Sequence, residues 1–280
     1  MSQPIDHHFL PQWYLDRWTT ERVVWEFRRQ GPTGDISKKY RFTAATAYKP
    51  HLYSLPGLPL EEAVTIERDF LQHIDDRAAK ALRKLELGGG ITPSENVWLV
   101  AFICSMLHRS PGRIQYLQDM LRSELSSSEL FKGASDNYFR HYGLRVFADL
   151  VKSKVINERI GSFRAYAIDI GIDGFELLTS DRPLILSDGL GHSEAFVALP
   201  VGPRRLLFLS ERRAVADRFA NRTARRLSRS INDAIVCQAE ALVISRTGRE
   251  VDFVNRRLGK TRVALAGPYQ EGIGLVRWQI

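Results

Sequence analysis

Glu67 stands in an odd place for a carboxylate. On a helix stepping 100° per residue, Phe70, Leu71, Ile74, Ala78 and Leu85 all lie within about 60° of it. A buried carboxylate without company costs several kcal/mol or holds its proton to higher pH. Glu67 therefore needs a cation, a metal or hydrogen-bond donors, unless the helix N-terminus keeps it hydrated. Arg109 ends an apolar run and precedes Ser110-Pro111. Its guanidinium is expected either to bind an anion such as phosphate or to bridge Glu67 or Asp75 between helices. His7 and His8 are neighbours, and in an extended segment they face opposite sides, so one of them enters a given pocket. Asp181, in Ser180-Asp181-Arg182-Pro183, sits between two strand-like runs. It is either a turn former or a strand-end general base or ligand. His8, Glu67 and Asp181 are the catalytic candidates, and together they could hold a divalent metal and its water. The spacing carries no zinc signature such as H-E-x-x-H. His7, Gln12, Ser180 and Asn232 are expected to orient backbone and side chains through hydrogen bonds.

A second chemistry lies in the charge. The 280 residues carry 40 Lys and Arg against 32 Asp and Glu, a formal net charge of +8. Nine arginines (204, 205, 212, 213, 218, 222, 225, 226 and 229) share one stretch with only Glu211 and Asp217. Arg222, Arg225, Arg226 and Arg229 follow helical spacing, with Ala224, Leu227, Ile231, Ile235 and Gln238 on the other arc. Like charges so placed repel, and an anion relieves them: a nucleic-acid backbone, an acidic patch of the chain, or an acidic protein partner. The plainer possibility is a solvated face. No helix-turn-helix, RNA-recognition or Walker signature accompanies the run, and Gly189-x-Gly191 is too short for a dinucleotide fingerprint.

The elements that must position these groups are partly explicit. Pro11 opens a short helix with Trp13, Tyr14 and Trp18 as packing groups. Alternation at Val23, Trp25 and Phe27 predicts a strand, Gly31-Pro32-Thr33-Gly34 a turn, and KKYRFT the return strand. A helix is expected from 61 to 87, stopped by Gly88 to Gly90. Thr92-Pro93-Ser94-Glu95 starts the next with an N-cap, a first-turn proline and a glutamate at the third position. Its apolar sequence VWLVAFICSML marks a buried helix that Pro111 kinks or ends. A polar helix to about 129 and another near 136–156 follow. From Phe163, the segments FRAYAIDI, FELL, PLIL, EAFVALPV, RRLLFLS and ALVIS predict strands, with a helix over 221–238. Helices first and strands later imply an α+β fold. It has a short N-terminal helix and hairpin, a central helical bundle, and a mainly antiparallel C-terminal sheet packed by one arginine-rich helix. One compact domain is expected over 1–280, with segments 1–60, 61–160 and 161–280.

Five blocks occur in order: HHFLPQWYLDRW, IERDFLQHIDDRAAKALRKL, TPSENVWLVAFICSMLHRSP, LLTSDRPLIL, and LPVGPRRLLFL followed by SRSINDAIVCQAEALVIS. Together they resemble an uncharacterised bacterial group, domain-of-unknown-function family four-two-three-eight, over nearly the whole chain. The resemblance implies a family and no particular activity.

Composition narrows the classes. With 44% apolar and 26% charged residues the chain is globular, and two cysteines exclude a disulfide scaffold. The longest apolar run, 97–107, is too short for a bilayer, and MSQPIDHH lacks the apolar core of a signal peptide. A cytoplasmic protein is expected, with no membrane partner. The expectation is a nucleic-acid-handling protein, with metal-dependent phosphodiester hydrolysis as its possible reaction. The alternative is a non-catalytic binding module whose polar residues form a buried structural network.

Overall fold

The computed structural model describes residues 6–31, 34–126, 128–187 and 189–261, without the side chains of Leu60 and Leu130. Pro32 and Thr33 of the expected turn lie outside the described residues. The fold is α+β, and the chain divides into two compact units that interleave in sequence. The first takes residues 1–9 and 48–158, the second 10–47 and 159–280. The opening sixty residues, expected as one segment, are thus shared between the two.

In the first unit, β1 (Asp6–His8) pairs antiparallel with β4 (Tyr48–Pro50), setting His7 opposite Lys49. Helix α2 (Leu60–Ala63), a π-helical segment (Ile66–Leu71) and α3 (Gln72–Glu86) occupy the span expected as one helix. Gly88 follows at φ +78, the left-handed conformation that ends helices without steric cost to a glycine. Helix α4 (Pro93–His108) starts on a reciprocal cap: Thr92 Oγ1 accepts from the Glu95 N–H at 3.2 Å, and Glu95 accepts from the Thr92 N–H at 2.6 Å. Most of its apolar residues are buried, Leu99, Phe102 and Ile103 completely, while Val97 near its start is exposed. Helix α4 ends at His108, and Pro111 opens α5 (Pro111–Leu125) rather than kinking α4. The reason is local: Ser110 caps the new helix by accepting from the Arg113 N–H, and a proline suits the position that follows. Helix α6 (Asp136–Val151) packs on α4 and α5. The boundary between units falls within α7 (Lys154–Gly161).

In the second unit, α1 (Gln12–Leu15) leads through a short 3-10 turn (Asp16–Trp18) to the hairpin β2 (Val23–Arg29) and β3 (Ile36–Phe42). Strand β5 (Arg164–Asp169), β6 (Thr179–Ser180), β7 (Ile185–Leu186), β8 (Phe196–Gly202), β9 (Arg205–Ser210) and β10 (Leu242–Ser245) follow. They form two four-stranded antiparallel sheets, ordered β3-β2-β10-β6 and β5-β9-β8-β7. Helices α8 (Arg213–Ala220), α9 (Ala224–Gln238) and α10 (Val251–Asn255) complete the unit. Phe27, Phe196, Phe208, Ile231, Ile235 and Val243 share its core.

Two expectations are corrected. The FELL segment is not a strand, because side chains claim its backbone. Ser228 accepts from the Phe175 N–H, Asn232 accepts from the Leu178 N–H, and Trp18 donates to the Leu177 carbonyl. The helix expected from 221 begins instead at Ala224: Asn221 terminates α8, and Thr223 caps α9 by accepting from the Arg226 N–H. Arg222 therefore precedes the helix. Among the described residues no helix is long and apolar enough to cross a membrane.

Candidate functional site

The polar residues of the first unit gather around Arg109. Its guanidinium is 1% exposed and grips Asp75 with both terminal nitrogens, at 2.9 and 3.1 Å. One nitrogen also reaches the His8 carbonyl, and the Arg109 carbonyl accepts from the Tyr53 hydroxyl at 2.6 Å. This ties α3, the end of α4, β1 and the loop after β4 at one point. Burial acts against the Asp75 charge and the Arg109 fork acts for it. The geometry is bidentate, which a lysine could not reproduce.

Glu67 lies in the π-helical segment and is half-buried. Its Oε2 is sealed from solvent with no hydrogen-bond partner among the described residues. Burial pushes its carboxyl up to about 7; Arg109 opposes this and Asp75 adds to it. Two carboxylates thus face one guanidinium. Asp75 holds it directly, so Glu67 is left to keep its proton near neutrality. Segments of π-helix occur often at functional sites, where the wider turn redirects side chains.

His7 is buried; its Nδ1 accepts from the Tyr53 N–H at 2.9 Å and its ring stacks on Tyr53, centroids 5.6 Å apart. Burial, then His51 and Arg140, hold it down to about 4, so the ring is neutral. Its proton accordingly sits on Nε2, which is buried without a hydrogen-bond partner among the described residues. His8, on the other side of β1, is half-buried with its ring against Tyr48. Gln12 is exposed at the first position of α1. Tyr53, the hub between His7 and Arg109, had no sequence signal: it lies in a proline-rich loop with no periodicity.

Asp181 belongs to the second unit and accepts three backbone N–H bonds, from Glu240, Ala241 and Leu242 at 2.9, 2.7 and 3.0 Å. Burial raises it to about 6 while these donors restrain the rise, so it is ionised at neutral pH. Around it, α9 binds the segment 175–184 rung by rung. Ser228 accepts from the Phe175 N–H, and Asn232 accepts from Leu178 and donates to the Glu176 carbonyl. Ser180 donates to the Ile235 carbonyl, and Gln238 donates to the carbonyls of Arg182 and Leu184. Tyr14 and Trp18 hold the same segment from the opposite chain end, through Thr179 and the Leu177 carbonyl. The expected set of His8, Glu67 and Asp181 is thus drawn from both units. Among the described residues no group of three His, Cys, Asp or Glu side chains is placed to hold a metal.

The nine-arginine stretch separates into two kinds. Arg204 pairs with Glu176, Arg205 with Asp169, Arg212 and Arg218 with Glu194, and Arg213 with Asp217. Arg222, Arg225, Arg226 and Arg229 form no ion pair among the described residues. Arg225, Arg226 and Arg229 are exposed on α9; Arg222 is half-buried over the Phe219 ring and Arg225 lies 5.3 Å from the Phe175 ring. Arg225 and Arg226 also occupy the first turn of α9, which has no acidic residue, so the helix dipole adds to their repulsion.

No curated protein and no solved structure matches the chain. A family model does match, over residues 6–249, and by it the chain belongs to the family described as Protein of unknown function (DUF4238).

Proposed function

We propose that this protein is a nucleic-acid-binding module that meets phosphate through the arginines of α9, while its buried polar residues serve as architecture. One observation carries the reading. Five of nine clustered arginines have carboxylate partners within the second unit, and the four that have none among the described residues are neighbours on and just before α9. Guanidinium groups left together, three of them exposed, gain most from a ligand bearing several phosphates, because each neutralised phosphate releases a condensed counterion. Arg109 supplies the contrast: it is sealed on Asp75 and offers nothing to a polyanion. A phosphodiesterase reaction would draw on His8, Glu67 and Asp181. The last of these already spends both oxygens on three N–H groups, so no catalytic step is assigned.

The test is the salt dependence of oligonucleotide binding by fluorescence anisotropy. Four phosphate contacts give a slope of log affinity against log salt of about −3. Replacing Arg225, Arg226 and Arg229 with alanine should bring it to about −1. All three are exposed, so the fold should survive. Absence of binding, or an unaltered slope in the triple variant, overturns the proposal. Capture of an acidic protein in place of nucleic acid would reassign the face.

A further inference from the structure

We infer that the free edge of the sheet β3-β2-β10-β6 is a stacking platform for the unpaired bases of a single-stranded nucleic acid; this rests on the nucleic-acid reading above and specifies its substrate. Strand β3 is the edge, hydrogen-bonded among the described strands to β2 alone. On it Tyr40 is 53% and Phe42 64% exposed, far more than a globular core tolerates for rings of that size. Two residues apart, they share one face of the strand and stand about 7 Å from one another. The Tyr40 ring is held, not loose. Tyr40 packs on its cross-strand neighbour Trp25, centroids 5.0 Å apart, and Lys38 lies 4.4 Å over the Trp25 ring. Trp25 itself is seated on Gly248, where an added Cβ would come within 2.5 Å of the indole.

Charge selects the occupant. Between 36 and 42 the strand carries no acidic residue; Lys38 shares the face of Tyr40 and Phe42, and Lys39 and Arg41 add positive charge on the opposite face. Glu26, opposite Lys39, is engaged by Arg28 and Thr46. Rings beside a lysine on a strand that bears no negative charge suit bases on the π-faces and phosphates at the margins, as in single-strand recognition generally. An added protein strand fits less well, because lysines along an edge discourage strand addition. The same unit carries the α9 arginines, so one module holds both the sequence-tolerant stacking groups and the phosphate-binding groups.

The experiment measures affinity for a labelled single-stranded pyrimidine oligonucleotide and for its duplex, using the full chain, Tyr40→Ala/Phe42→Ala and Tyr40→Phe/Phe42→Tyr. The wild type should prefer the single strand. The alanine pair should lose roughly fivefold or more per ring on the single strand, keep its salt slope, and leave duplex binding unaltered. The aromatic exchange should restore single-strand affinity. Equal single-strand affinity in wild type and alanine pair, with the α9 salt slope intact, overturns the platform and leaves the proposed function standing. No binding of either oligonucleotide overturns both. A change from dimer to monomer in the alanine pair, seen by light scattering, would assign the edge to a second copy of the chain and also overturns the platform.

Discussion

Glu67→Gln should make the protein more stable at alkaline pH and leave its stability at acid pH almost unaltered. The folded protein holds the Glu67 proton to about pH 7, whereas the unfolded chain releases it at the ordinary 4.5. Below 4.5 both states are protonated and the group contributes nothing to the pH dependence. Between 4.5 and 7 the unfolded state ionises first, so stability falls as pH rises; above 7 both are ionised and the loss is constant. At 1.36 kcal/mol for each tenfold in proton affinity, the loss reaches at most about 3 kcal/mol, less what partial exposure screens. Glutamine resembles the protonated acid and cannot ionise, so the difference between variant and wild type should open across that window. Urea unfolding at half-unit intervals from pH 4 to 8.5 measures it. A constant offset at every pH would refute the reasoning, because the carboxyl would then titrate alike in both states. The groups facing Glu67 sharpen the test. Asp75 holds Arg109 at 2.9 Å and Tyr53 donates to the Arg109 carbonyl. Asp75→Asn weakens that grip, so Glu67 should titrate closer to 4.5 and the window should narrow.

Other outcomes follow from the same contacts. Arg109→Met leaves Asp75 charged and buried without its partner, and should cost about 3–5 kcal/mol in urea unfolding. Asp181→Asn turns an amide N–H toward at least one of three backbone N–H groups. It should cost about 1–3 kcal/mol, readable in the same assay. The triple alanine variant of Arg225, Arg226 and Arg229 should lower the salt slope to about −1 with little effect on melting temperature, and Tyr40→Ala/Phe42→Ala should lose single-strand preference alone.

Much of the architecture is legible where a local rule has no competitor. The reciprocal cap at Thr92 and Glu95, the left-handed Gly88 and the alternation of β2 each leave one favoured conformation. The failures have tertiary causes. FELL has strand composition, but Ser228, Asn232 and Trp18 consume its backbone groups, and nothing nearby in sequence announces them. Arg222 is a local exception: it fits the helical spacing, but α8 ends at Asn221 and Thr223 caps α9 just after it. Strand order is hidden for a similar reason: β10 joins β2 across some two hundred residues, with no local trace of the pairing. Glu67 was visible as an anomaly because a carboxylate interrupts an apolar stripe. The π-helical segment that carries it was not, since hydrophobic spacing does not record one extra residue per turn.

Polarity inside an apolar frame is therefore a sign of need rather than of use. Arg109, Asp181, Asn232 and Gln238 all stand out in the sequence, and each is engaged inside the fold, Arg109 mainly by Asp75 and the others by backbone. Arg225 and Arg229 look ordinary by comparison, yet among the described residues they have no carboxylate partner. Removing Arg109 strands a buried carboxylate; removing Arg225 strands nothing. Stability and ligand affinity should consequently respond to separate sets of substitutions in this chain. A variant of Arg109 that retains its fold should keep the wild-type salt slope, because the guanidinium it lacks never faced solvent.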